Sequence, residues 1–246
     1  MDPSFLILFL LSLLGGAAGI SGGLLFMYLP RLSRLLQSFA LPFSSGVLLA
    51  VSIYHLIPES IEFELEAIPL VILISFLSAI FIERFVFKIH HHSHDAKTKS
   101  RSSLIVFGDT LHNAIDGIAI AASFAISPVA GLGVALATLV HEIPHEMADF
   151  AILVKSGWKK RDVLLINLLS SFATTVSAVA FFAIGESVEL LTPYALAVSA
   201  GVFLYLGATD MLPEVLGQKS KSNRSLWTVL LGAIIMVLVF NLISDH

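Results

Sequence analysis

Apolar residues in this chain come in runs of about 20, broken by short polar stretches, and a helix needs about that many to cross the hydrocarbon core of a bilayer. Eight segments qualify: roughly 4–29, 39–58, 67–89, 104–125, 128–154, 161–185, 192–213 and 225–243. The connections are short, so residues 1–246 are expected to form one transmembrane domain. The longest polar segment, about 90–103, falls between helices three and four and contains His90, His91, His92 and His94. The first apolar run is longer than a signal-peptide core and follows no basic segment. It is therefore expected to stay in place as helix one. The predicted fold class is an all-α membrane protein with eight transmembrane helices.

Composition supports this pattern. Apolar residues make up 57% of the 246 and charged residues 13%, and the mean hydropathy is +0.91. Those values exclude a soluble domain and a disordered chain. The chain has no cysteine, so neither disulfides nor thiolate metal sites are available. No nucleotide-binding motif is present, and nothing points to nucleic acid as a partner.

The placement of charge says more than the net value of −4. All 14 basic residues, from Arg31 and Arg34 to Lys219, Lys221 and Arg224, fall in the loops after helices one, three, five and seven or at the helix ends bordering them. The opposite loops carry Glu59, Glu62, Glu64, Glu66, Glu186 and Glu189. The positive-inside rule then places both termini outside.

An internal echo is also present. Residues 46–59 read GVLLAVSIYHLIPE and residues 201–214 read GVFLYLGATDMLPE, identical at Gly, Val, Leu, Pro and Glu. The first copy ends helix two running outward and the second ends helix seven running inward. Matching segments of opposite direction suggest an inverted-repeat transporter. The glycines of helix one, among them Gly15, Gly16, Gly22 and Gly23, are read as close-packing positions.

The candidate chemistry lies on helices four and five. Residues three or four apart share a helix face. That aligns Asp109, His112, Asn113 and Asp116 on helix four. It aligns His141, Glu142, His145, Glu146 and Asp149 on helix five, over a wider arc. At 1.5 Å per residue His112 lies about 12 Å into its helix and His141 about 20 Å into its own. Both sets thus reach the middle of the membrane, and the short turn at 125–128 makes the helices antiparallel neighbours. Each of Asp116, Glu142 and Glu146 would cost about 2.5–3.5 kcal/mol at a bilayer centre on insertion scales.

Imidazole nitrogen with carboxylate oxygen suits zinc, iron or manganese and suits calcium or magnesium poorly. Pro144 frees the carbonyl of Val140 and either opens helix five or bends it. Gly117 would let a neighbouring helix approach closely. Two other readings compete. Interhelical hydrogen bonding alone could explain a single membrane histidine, but not two motifs at matched depth. His141-Glu142-Ile143-Pro144-His145 also fits H-E-x-x-H, in which Glu is the general base of a zinc protease. Pro144 would distort the helix presenting that pair. The His90–His94 stretch is either a metal-catching or sensing loop or a solvated linker.

At these residues the chain resembles the ZIP family of divalent-metal transporters, in the branch whose fifth helix carries HEIPHE. The run HEIPHEMADFAILVKSGW (141–158) is similar almost throughout, as are HNAIDGIAI (112–120), HLIPE (55–59), NLLSS (167–171) and DMLPE (210–214). The resemblance is read over all eight helices. It implies import of zinc, with iron, manganese and cadmium as further candidates. It also implies a homodimer in the plasma (bacterial inner) membrane and no cofactor, zinc being the transported substrate. Carried over residue by residue, His112, Asp116, His141 and His145 are the primary ligands, with Asn113 and Glu142 as secondary or bridging ligands. His55, Asp109, Glu146 and Asp149 fall along the transport pathway. The chain departs from the family pattern in two places. Relatives with two bound metals have an acid within helix six, where this chain has none between Asp162 and Glu186. Many also have an Asp four residues before the helix-two histidine, where this chain has Val51.

Overall fold

A computed structural model describes residues 3–87, 99–184, 187–217 and 222–244, and among these every regular element is helical. Eight helices follow one another. Helix α1 is Pro3–Tyr28. Helix α2 runs from Pro30–Ala50 through a π-helical turn, Val51–Leu56, into Ile57–Ile61. Helix α3 is Ile68–Phe81 with a π turn at Ile82–Phe87. Helices α4, α5 and α6 are Lys99–Ile126, Pro128–Lys155 and Lys160–Ala183. Helix α7 runs from Ser187–Tyr205 through a π turn, Leu206–Met211, into Leu212–Gly217, and α8 is Ser222–Ser244.

Each apolar run of the sequence therefore became a helix, with some ends displaced. The segment read as a loop before residue 39 is helical from Pro30, directly after Leu29. Proline there costs little, because the first-turn N–H it lacks would have no partner. Helix α4 starts inside the expected polar segment, at Lys99. His90, His91, His92 and His94 lie outside the described residues. Six stretches are long and apolar enough to cross a membrane: Pro3–Tyr28, Phe39–Ile61, Leu104–Ile126, Lys160–Ala183, Ser187–Met211 and Ser225–Leu242. The protein is thus a multi-pass membrane protein. Outward-facing stripes agree, as on α6, where Leu165, Leu169, Phe172 and Val176 lie exposed at helical spacing.

The sequence echo has a structural counterpart. Aligned copy to copy, the π turn Val51–Leu56 coincides with Leu206–Met211, and Pro58 and Pro213 follow each by two residues. The N–H of Ile57 bonds to the Ser52 carbonyl and that of Leu212 to the Gly207 carbonyl, each five residues back. A proline ring crowds the carbonyl four residues before it and offers no N–H. A widened turn just ahead of the ring relieves that crowding. The first glycine of each copy also meets a neighbouring backbone: Gly46 lies against Val229 of α8, and Gly201 against Ile72 of α3.

Packing divides the bundle. Helix α1 lies against α5 and α6, and α4 lies against α6 and α5; α2 pairs with α8 and α3 with α7, while α2 reaches α5 and α7 reaches α4. Close approach is made possible by glycine: Gly16 sits on the Ser171 carbonyl oxygen and Gly22 on that of Ile143. The main core lies between these groups and includes Leu48, Leu56, Ile120, Val134, Leu196 and Phe203.

Candidate metal centre

The hairpin of α4 and α5 positions the site. Ser127, between the helices, has extended backbone, and its Oγ accepts the Ala130 N–H at 3.0 Å. Pro128 follows in the first turn, so the N-terminus of α5 is capped in the manner these residues favour. At the other end Gly157 takes φ +95°, and the Trp158 N–H bonds to the Leu153 carbonyl at 3.2 Å. That left-handed glycine ends the helix without a side-chain clash.

Four side chains converge in the buried middle. His112 Nε2 lies 2.9 Å from Glu142 Oε1 and 3.8 Å from Asp116 Oδ2. His141 Nε2 lies 3.2 Å from Asp116 Oδ2 and 3.6 Å from Glu142 Oε1. The two Nε2 atoms are 3.2 Å apart. Ligands held tetrahedrally about 2.0–2.1 Å from zinc would lie about 3.4 Å from one another. The observed separations bracket that value, so one divalent ion could bridge all four atoms. His141 Nδ1 is 3.0 Å from the Ala137 carbonyl. The carbonyl can only accept, so Nδ1 carries the proton and Nε2 turns its lone pair into the cluster. Asp116, His141 and Glu142 are completely buried. Among the described residues Asp116 Oδ1 and Oδ2 and Glu142 Oε2 accept no hydrogen bond. Two neutral imidazoles and two carboxylates match the charge of a dication, and buried carboxylates without donors are costly otherwise.

Two further groups adjoin this one. Asp109, His145 and Asp149 bring ligand atoms within 4.8 Å of one another, as do Asp109, Glu142 and Glu146. His145 thus groups with Asp109 and Asp149, although its ring centroid is 5.0 Å from that of His112. Asn113 donates to the backbone oxygen and to Oδ1 of Asp109, both at 3.1 Å, and accepts from Thr174 Oγ1 at 3.0 Å. Glu146 accepts from the Asn167 amide and from Ser171 Oγ at 3.3 Å. A cavity of about 400 Å³ opens beside the groups, and Asp109, His112, His145, Asp149, Asp210 and Glu83 are on its wall.

His55 stands apart. Its Nε2 is 3.2 Å from Ser123 Oγ, its Nδ1 3.8 Å from Glu59, and its ring stacks on Phe240 at 4.4 Å. Ser123 lies seven residues beyond Asp116, about 10 Å along α4. Helix α5 stays helical through Pro144. The Val140 carbonyl that this proline leaves free accepts a hydrogen bond from Ser44 Oγ of α2 at 3.0 Å.

Sequence reasoning missed the contribution of α6 and α7. Asn167, Ser171 and Thr174 hold Glu146 and Asn113 from α6. Phe203 of α7 meets the His141 ring edge-on at 5.7 Å. The signal available was the polar spacing of Asn167, Ser171 and Thr174 on an apolar helix, one face at i, i+4 and i+7. Phe203 carried no signal, because a buried phenylalanine in an apolar run looks like any core residue.

Residues 88–239 match the family described as ZIP Zinc transporter. Among curated proteins, the zinc transporter ZIP10 of Danio rerio is 37% identical over 130 residues, 53% of this chain and 15% of that protein. The zinc transporter foi of Drosophila melanogaster is 37% identical over 140 residues, 57% of this chain and 19% of its own length. The zinc transporter ZIP4 of Homo sapiens is 38% identical over 146 residues, covering 58% and 22%. The alignments thus span less than a quarter of each of these relatives. The matched region runs from the segment before α4 into α8 and contains every member of the three ligand groups. With that extent matched, the chain belongs to the ZIP zinc transporter family.

Proposed function

We propose that the protein carries a divalent metal ion, zinc above all, across the membrane into the cytoplasm. The observation that carries this reading is the buried set of His112, Asp116, His141 and Glu142 at zinc spacing. The resemblance names His145 and Asn113 as ligands too. In this reading Asn113 orients Asp109, and His145 takes the ion at a later stage. Asp109, Glu146 and Asp149 lie along the route, and His55 guards the outer half of helix α2. The relatives' printed names as zinc transporters support zinc as cargo, with iron, manganese and cadmium as competitors. No cofactor enters the reading, because the ion is the substrate.

The proposal includes eight membrane spans, both termini outside and an inverted repeat. The one-sided basic residues support the orientation. The coincident π turns and the paired contacts support the repeat: exchanging α1 with α6, α2 with α7, α3 with α8 and α4 with α5 turns the α2–α8 pair into α7–α3 and the α1–α5 pair into α6–α4. The cavity lies on the half of the bundle flanked by basic loops, toward the end of α3 and the start of α4, which supports release on that side. A homodimer is part of the same reading and is tested by the mass of the purified protein in detergent.

The intramembrane protease reading finds no support. Glu142 contacts His112 at 2.9 Å within the ligand set, which leaves it badly placed to act as a free base. The test is zinc entry into proteoliposomes loaded with a zinc dye. His141→Ala should abolish entry, and entry at the wild-type rate would refute the assignment. Competition among zinc, iron, manganese, cadmium and cobalt on the wild type measures selectivity.

A further inference from the structure

We infer that the turn between α5 and α6 binds anionic phospholipid, with Lys155 and Arg161 holding the headgroup phosphate and Lys159 and Lys160 adding charge beside them. Residues 155–161 read KSGWKKR, so four cations fall within one short turn. All four side chains are exposed. Among the described residues none of the four pairs with a carboxylate. The acid next to them in sequence is Asp162. The turn itself is fixed. Gly157 takes φ +95°, the Trp158 N–H bonds to the Leu153 carbonyl at 3.2 Å, and the Trp158 side chain packs on the cluster of Phe150, Leu153 and Val163.

Two features point to a lipid headgroup rather than a soluble anion. The first is continuity. On α6 the exposed stripe of Leu165, Leu169, Phe172 and Val176 faces acyl chains, and Arg161, four residues before Leu165, is its next member. On α5 the exposed Ala148 and Ile152 lead in the same way to Lys155. The surface that touches acyl chains therefore runs into a cation on both helices. The second feature is depth. Lys155 lies ten residues beyond His145, and Arg161 lies ten residues before Ser171, whose Oγ meets Glu146. Ten residues are about 15 Å of helix, half of a hydrocarbon core about 30 Å thick. With the ligand groups at the bilayer middle, as the transport reading places them, both cations stand at headgroup level. Trp158, between them, is a residue type enriched at that level. Arginine grips phosphate through two parallel N–H bonds and lysine adds a point charge. A headgroup held here ties together the ends of the two helices that carry His141, Glu142 and Glu146 and the Asn167 and Ser171 donors.

Quenching of Trp158 fluorescence tests the inference in the full chain. Trp227, exposed on α8, is first replaced by Trp227→Phe, which leaves Trp158 as the single reporter. The protein is placed in phosphatidylcholine vesicles carrying a minor share of brominated phosphatidylglycerol or, in parallel, of brominated phosphatidylcholine. Both leaflets hold the probe, so the result does not depend on which side the turn faces. One cation at an anionic surface favours binding about five-fold. Brominated phosphatidylglycerol should therefore occupy the position beside Trp158 at least about five-fold more tightly than brominated phosphatidylcholine. Salt at about 1 M, where the Debye length is about 3 Å, should weaken that preference. Lys155→Gln with Arg161→Gln should bring the preference close to one, whereas Lys159→Gln with Lys160→Gln should keep most of it. Quenching by brominated phosphatidylcholine should match wild type in both double variants if the turn stays folded. In detergent, phosphatidylglycerol should raise the unfolding temperature of wild type and not that of the Lys155–Arg161 variant, and inorganic phosphate should raise neither. Equal quenching of wild type by the two lipids overturns the inference. Equal losses in the two double variants overturn the assignment to Lys155 and Arg161. If inorganic phosphate stabilises wild type as phosphatidylglycerol does, the occupant is a soluble anion and the inference fails. No arm reads zinc, so a failure here leaves the transport reading standing, and failed zinc entry leaves the lipid result standing.

Discussion

Gly117 follows Asp116 directly, and α6 passes over it with no room for a side chain. A Cβ there would strike the Thr174 carbonyl oxygen and Ser177 Oγ, and it would lie 2.8 Å from the Thr174 carbonyl carbon, where ordinary contact begins at 3.4 Å. The carbonyl oxygen is the closer of the two backbone atoms, so Gly117→Ala must push α4 and α6 apart by about an ångström. Overpacking of this kind costs about 1–3 kcal/mol. The bonds from Thr174 to Asn113 at 3.0 Å and between Thr110 and Ser170 at 3.1 Å cross the same interface. Losing both adds about 1 kcal/mol at the average of ~0.6 for interhelical bonds in membranes. Alanine offsets about 1 kcal/mol through its better helix propensity. The net expectation is destabilisation by about 1–3 kcal/mol.

The effect on zinc should exceed the effect on stability. Asn113 holds Asp109, and Asp116 sits beside the displaced Cα, so zinc affinity should fall about 10–100-fold, as when supporting contacts of a ligand are removed. Gly157→Ala is the matched control. Its φ of +95° strains any side chain, yet nothing lies within 4 Å of the added Cβ. It should lose about 1–2 kcal/mol and keep wild-type zinc flux. Thermal unfolding in detergent gives the first quantity, and the KM for zinc entry into proteoliposomes gives the second. If Gly117→Ala melts and transports like wild type, the close approach of α4 and α6 is wrong. If the two variants lose zinc affinity equally, the effect is global and the link from Gly117 to the site is wrong.

Other consequences follow from the same geometry. Glu142→Gln keeps the shape of the cluster but removes one negative charge, and should slow zinc entry at least ~10-fold; unchanged entry would reject the four-ligand set. Ser44→Ala strips the Val140 carbonyl of its partner beside Pro144 and should cost about 0.6–1.7 kcal/mol in thermal unfolding, with no loss indicating that the carbonyl is satisfied elsewhere. Protons compete with metal for imidazole nitrogen, so zinc entry at clamped potential should weaken as external pH is lowered; a flat profile would argue against histidine ligation.

Much of this architecture was legible because the bilayer imposes a length on every helix. Runs near 20 apolar residues located all eight helices, and i, i+4 spacing placed His112 with Asp116 and His141 with His145. The partition among ligand groups was not legible. His141 and His145 share a face, yet His141 joins Asp116 and His145 joins Asp149. Spacing along one helix sets which side chains face the partner helix. It does not set which atoms of that partner they meet, because this depends on the axial offset of α4 against α5. The helical start at Pro30 was also hidden, since the polar residues between Arg31 and Ser38 interrupt the long apolar run that marks a span. Freeing of the Val140 carbonyl by Pro144 was readable, but its capture by Ser44 needed the packing of α2 on α5.

The missing acid on α6 has a physical reading once these contacts are known. Asp109, Glu142, Glu146 and Asp149 already crowd the space beside the cavity, and Asp116 lies just beyond. Another carboxylate from α6 would add like charge in a region where screening by water is weak. What α6 supplies is neutral: the Asn167 amide and Ser171 hydroxyl donate to Glu146, and Thr174 donates to Asn113, which holds Asp109. Hydrogen bonds to ionised groups are roughly twice as strong as neutral ones. Neutral donors on α6 can therefore steady the carboxylates without competing for the ion. Asn167→Asp tests this directly. If α6 is uncharged where it meets the ligand groups because an extra charge would disrupt the cluster, the variant should unfold at lower temperature than wild type and lose zinc flux. If it instead bound an additional zinc with flux intact, the departure at α6 would be a missing ligand and the charge argument would fail.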